Sequence, residues 1–165
     1  LTTTVTVPPP TVFFLAENLS PTPRNLHSAV EALARITAQA WAPLSGYPGS
    51  DTHWRVRCLL CGWEGTRFYS HLRRARPVGR HKGCLPQEQR QAKLAQLAAQ
   101  APAECHCWVA HPVTAADAAD VLAAIEQARR IDDSHGLTTH LRRLLGPCPA
   151  AAARALAVKQ ATARS

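Results

Sequence analysis

Cys58 and Cys61 stand two residues apart in "RVRCLLCGW", and after nineteen intervening residues His81 and Cys84 stand two residues apart in "RHKGC". Three thiols and an imidazole, offered in pairs, form the donor set of a closed tetrahedral Zn²⁺ site. Each spacing lets one tight turn present both of its ligands to the same ion. Gly62 after the first pair and Gly83 inside the second can turn the chain without a Cβ penalty. The pattern predicts one structural zinc held by Cys58, Cys61, His81 and Cys84. His71, in "YSHLRR", is the competing imidazole and is expected to sit beside the arginines instead. Buried, unligated thiols are the alternative.

A second cluster, Cys105, His106, Cys107, His111 and Cys148, is a weaker candidate, because C-x-C is a poor tetrahedral spacing. Ordinary buried or redox-labile cysteines are expected there. No catalytic constellation is found. The asparagines, Asn18 and Asn25, both precede the finger, against an HNH-type nuclease. The H-x-E/P-C-x-x-C deaminase signature, H-E-x-x-H and a glycine-rich phosphate loop are missing. "ECHCW" holds cysteine and histidine without an orienting third group. The expectation is a protein that is not an enzyme.

Charge points to a partner. The chain carries a net +8, and residues 53–84 hold Arg55, Arg57, Arg67, Arg73, Arg74, Arg76, Arg80 and Lys82 against Glu64 alone. So dense a basic module attracts phosphates, DNA above all, and these eight side chains are the candidate nucleic-acid contacts. Arg73, Arg74 and Arg76 lead, on a short helix or turn after Ser70. A solvated basic face is the plainer reading. Trp54, Trp63, Phe68 and Tyr69 lie among these cations; they could stack on bases, but Trp54 and Trp63 are expected to fill a core short of large apolar groups.

The elements that position these groups follow from periodicity. Residues 1–23 are rich in Thr and Pro and read as a flexible arm. Leu26, Val30, Leu33, Thr37 and Trp41 predict an amphipathic helix ending near Trp41, and the turn-rich 42–51 a break, so that 24–52 forms helix and linker. His53–Arg57 and Trp63–Tyr69 alternate as a hairpin, and 86–100 reads as a helix with Leu94, Leu97 and Ala98 on one face; together 53–101 forms the zinc module. Residues 102–165 read as a helical C-terminal region. Thr114 and Asp117 cap one helix, "DDSHG" ends it, Thr138–Leu145 forms a second, and Pro149 opens a third reaching about Gln160. The fold class expected is mainly α with a small β-hairpin, a treble-clef-like finger flanked by amphipathic helices.

The stretch "PLSGYPGSDTHWRVRCLLCGWEGTRFYSHLR…GRHKGC" resembles a treble-clef zinc-finger module common in actinobacterial and phage proteins. The likeness covers Pro43–Cys84 and rests on the Tyr-Pro-Gly turn, the Trp-x-x-x-Cys-x2-Cys-Gly strip and the Gly-Cys pair. Many such modules close with a second C-x2-C; here Gln87 stands where that last cysteine would fall, and His81 lies upstream instead. The resemblance implies zinc and nucleic-acid contact, and no reaction. The reading is a zinc-binding protein that contacts nucleic acid through an arginine-rich finger, as an accessory or regulatory factor of a mobile element. The alternative is a protein-interaction module, with purely structural zinc and a partner on the C-terminal helices.

No stretch approaches the roughly 20 apolar residues that span a membrane, and "VFFLA" lacks the basic flank of a secretory signal, so a reducing cytoplasmic setting is expected. Leu1 opens a chain without methionine, which fits a non-AUG start or a trimmed terminus equally well.

Overall fold

The computed structural model describes residues 15–73, 80–100, 111–146 and 151–163. Among these are six helices and a small antiparallel sheet, the sheet flanked by the first two helices. Helix α1 (Pro23–Ala38) opens on Thr22, whose side chain accepts from the Asn25 amide, with Pro23 at the first position, where a missing N–H costs nothing. It buries Leu26, Ala29, Val30, Ala32, Leu33 and Ile36, one stripe at helical spacing. The expected end at Trp41 is corrected. The helix stops at Ala38, Ala40 takes a left-handed φ of 60°, and Trp41 begins strand β1 (Trp41–Pro43). Trp41 fits the helical period, but its ring is needed in the sheet corner described below.

Strands β2 (His53–Cys58) and β3 (Glu64–Phe68) form the expected hairpin, with Trp54 opposite Arg67 and Arg57 opposite Glu64. β1 adds on the other edge of β2, Trp41 opposite Cys58, so the hairpin is part of a three-stranded sheet in the order β1-β2-β3. Strand alternation turns Trp54, Val56 and Cys58 inward and leaves His53, Arg55 and Arg57 exposed. Trp54 is fully buried, its Nε1 donating to the Ser45 carbonyl at 2.9 Å, and it packs edge-on against Tyr47 and Tyr69. Leu15 is buried and bridges Tyr47, and Pro23 is already helical, so the far end of the supposed arm is tied to the core; residues 1–14 lie outside the described residues.

Beyond the sheet, α2 (Tyr69–Leu72) is a single turn, and α3 (Gln87–Gln100) buries no residue. Leu94 and Leu97 only half-cover themselves against the core, and Ala98 is exposed. α4 (Ala115–Arg130) starts where expected, with the Thr114 hydroxyl accepting from the Asp117 amide at 3.1 Å. α5 (Ser134–Leu145) begins four residues earlier than expected, because Asp133 caps it, accepting from the Gly136 amide at 2.9 Å. "DDSHG" therefore ends one helix and starts the next. α6 (Ala151–Ala163) closes the described chain. α1 packs against α6 on one side and β1 on the other, while α4 packs against α5 and α6. One hydrophobic core runs from Trp54 through Leu33 and Ile36 to Val121, Leu144 and Val158. No helix among the described residues is long and apolar enough to cross a membrane.

Candidate metal centre

Two turns build the site. After β2, the Gly62 amide donates to the Cys58 carbonyl at 2.8 Å and the Cys58 amide to the Trp63 carbonyl at 2.7 Å, a knuckle that Gly62 completes at φ 82°. The second turn joins the Cys84 amide to the His81 carbonyl, with Gly83 at φ 84°. Both glycines occupy backbone that an L-side chain rarely adopts, so the paired spacing does need them.

The two turns bring the ligand atoms of Cys58, Cys61, His81 and Cys84 within 4.8 Å of one another. Cys58 Sγ lies 3.9 Å from Cys84 Sγ, and Cys61 Sγ lies 3.1 Å from His81 Nε2. A tetrahedron with metal–sulfur bonds of about 2.3 Å has edges of about 3.8 Å, so the cluster is sized for one ion. His81 Nδ1 is 3.0 Å from the Lys82 carbonyl. Donating there, the ring turns a bare Nε2 toward the sulfurs, the tautomer a metal requires. Trp63 stacks on the imidazole, centroids 4.5 Å apart and planes 11° from parallel. His71 stands apart on α2, exposed and edge-on to Phe68. Among the described residues no other cluster of His, Cys, Asp or Glu has this form.

Arg80 holds the site from behind and corrects one expectation. Its charge points to phosphate, yet it is only 8% exposed. Its Nε donates to Cys58 Sγ at 3.0 Å, its two terminal nitrogens donate to the Gln39 and Ala40 carbonyls at 2.6 Å each, and the guanidinium lies 4.1 Å from the Trp41 ring centroid. One cation thus takes two carbonyls just past the end of α1, stacks on Trp41 and touches the Cys58 sulfur. Nothing local in the sequence separates Arg80 from its seven basic neighbours; its burial is a product of α1 lying some forty residues away.

The electrostatics follow. Burial works against ionising Cys58, but donation from Arg80 and from the Cys61 and Leu60 amides outweighs it and brings the thiol down to about 6. Cys84 goes the other way, pushed up to about 11 by burial and by the neighbouring Cys58 sulfur. In the absence of a cation, then, one sulfur is poised as thiolate and another keeps its proton. A dication binding all three displaces that proton.

The remaining basic residues divide. Arg55, Arg57, Arg73 and Lys82 are exposed, Arg57 with Glu64 at 3.9 Å. Arg67 is corrected with Arg80: it points inward opposite Trp54, lies 5.6 Å from the Trp63 ring centroid and donates to the Arg80 carbonyl. Arg74 and Arg76 lie outside the described residues, as do Cys105, His106, Cys107 and Cys148 of the second cluster. Its remaining member, His111, sits among α5 and α6 partners, Nδ1 2.6 Å from the Arg143 carbonyl and 2.9 Å from an Arg154 nitrogen. No family model matches the chain, and no curated protein or solved structure matches it either, so the metal centre is read from its own geometry.

Proposed function

We propose that this is a zinc protein that contacts nucleic acid, DNA in particular, through the basic face beside its metal centre. The observation that supports it most is the pairing of one Cys3His cluster, sized for a single ion, with Arg55 and Arg57 projecting from the strand that carries Cys58. Three thiolates and one imidazole favour zinc over harder cations, which prefer oxygen donors. Zinc is structural in this reading: all four positions are protein side chains, none open to a substrate. Lys82, next to His81, adds an exposed cation beside the metal centre, and the resemblance to treble-clef modules is in keeping with a cytoplasmic accessory or regulatory factor of a mobile element.

The test is a nucleic-acid titration of the zinc-loaded protein at two salt concentrations. Binding should weaken steeply with salt, and Arg55→Gln with Arg57→Gln should flatten the slope by about one unit for each phosphate no longer neutralised. Absence of salt-sensitive binding would leave the alternative, a protein-interaction module whose zinc only holds the fold.

A further inference from the structure

The outer face of the sheet carries an aromatic row that the metal centre does not use. His53 and Phe68 are cross-strand partners, their ring centroids 4.4 Å apart at 63°, and His71 meets the half-buried Phe68 edge-on at 5.5 Å and 81°. The other rings of this region have inward duties. Trp54, Tyr47, Tyr69 and Trp41 are buried, and Trp63 is engaged by His81 and Arg67. Phe68 alternates with inward-facing Arg67, so it shares the exposed face with Thr66 and with Arg55 and Arg57 across the strand. Same-face residues on a strand repeat about every 6.7 Å, which sets Arg55 and Arg57 one and two steps beyond His53. Glu64 is the single carboxylate on the strands of this face, and it lies by Arg57.

Building on the nucleic-acid reading above, we infer that this face binds single-stranded nucleic acid, stacking bases on His53, Phe68 and His71 while Arg55 and Arg57 take the phosphates. Charge complementarity selects a polyanion. The rings select its kind: duplex bases already stack on one another and offer no face, whereas splayed bases stack on aromatic side chains. An acidic polypeptide matches the arginines but leaves the rings without a role.

The experiment measures binding of the zinc-loaded protein to a short labelled oligothymidylate and to a duplex of equal length, with polyglutamate as competitor. The parent should prefer the single strand. Phe68→Leu, which keeps apolar bulk and every charge, should weaken single-strand binding about tenfold while leaving its salt slope and duplex binding unchanged. His53→Ala, at an exposed position, serves if the Phe68 variant fails to fold, and should act in the same direction. Ring protons of Phe68 and His53 should shift upfield as the oligonucleotide stacks on them. Full affinity in both variants, a preference for duplex, or equal competition by polyglutamate overturns the stacking face but leaves nucleic-acid contact standing. No binding to either nucleic acid overturns both.

Discussion

The metal corner and the helical half are held together by different physics. In the corner, a three-stranded sheet of short strands carries aromatic rings, thiols and a buried guanidinium, and the ligand turns reach the hydrophobic core through the buried Cys58 and Leu60, with Trp63, Cys84 and Leu85 half-covered beside them. In the helical half, Val121, Ile125, Leu144, Leu145 and Val158 close on one another and on α1 with alanines between them. In the first region a bound cation would neutralise clustered sulfurs; the second depends on area removed from water. Arg80 joins them, since its three acceptors belong to a ligand and to the end of α1.

Metal removal should break the comparison most widely. Chelation of the zinc-loaded protein is expected to abolish the near-ultraviolet signals of Trp63, which stacks on His81, and of Trp54, which sits on the strand that carries Cys58, while α4, α5 and α6 keep most of the far-ultraviolet helical signal. Unchanged tryptophan signals after verified metal release would show that the corner stands by packing alone.

Next in size is Arg80→Met, which keeps the stem over Trp41 but removes every donor. Two carbonyls and a thiolate are deprived of a charge-assisted partner, for a cost of about 3 kcal/mol or more. Metal affinity should drop about 10- to 100-fold, as for other residues that orient a ligand from behind. Arg80→Lys should recover only part of both, because a point charge cannot bridge three acceptors at once. A chelator competition and a denaturation curve on each variant measure the two effects; equal behaviour of all three proteins would cut the link between corner and helices.

What can be read from the chain follows this division. The ligands are legible because their chemistry is local: two short spacings and two glycines state the site. The α1 stripe and the Thr114 cap are legible for the same reason. Trp41 is not, since it satisfies the helical period and leaves the helix only to pack beside Arg80 and Trp63. Among the six described cations of this stretch, the sequence carries no sign that Arg67 and Arg80 are the ones to turn inward; that depends on strand register and on the carbonyls waiting at Gln39 and Ala40. The Asp133 cap is a local signal, an aspartate three residues before Gly136, masked by the turn character of the residues around it.

A smaller effect sharpens the corner's dependence on fit. Gly65 lies under the Trp63 indole so closely that a Cβ there would come within 2.4 Å of its ring. Gly65→Ala should push the ring off His81 at a cost of about 1–3 kcal/mol, leaving all four ligands in place. The expected signature is a changed Trp63 fluorescence with metal stoichiometry preserved. Loss of the metal itself would mean that the stacked indole, and not only the donor set, is required to hold His81.

The smallest effect belongs to the helical half and concerns pH. Burial holds His111 below its ordinary value of 6.5, and the cations of Arg154 and Arg143 add to that, against the opposing bond to the Arg143 carbonyl. The folded protein therefore keeps this ring neutral where the unfolded chain would protonate it. Its contribution to stability is present above 6.5 and is lost as pH falls from there through the depressed folded value. Protonation of the metal ligands also weakens the protein on acidification, so a bare pH profile of the parent is no test. His111→Gln removes the ring's titration and leaves the ligands untouched, which isolates the effect. Denaturant midpoints of the two proteins, measured across mildly acidic to neutral pH, should fall with acid in both but more steeply in the parent. Parallel profiles would mean that His111 protonates as readily folded as unfolded.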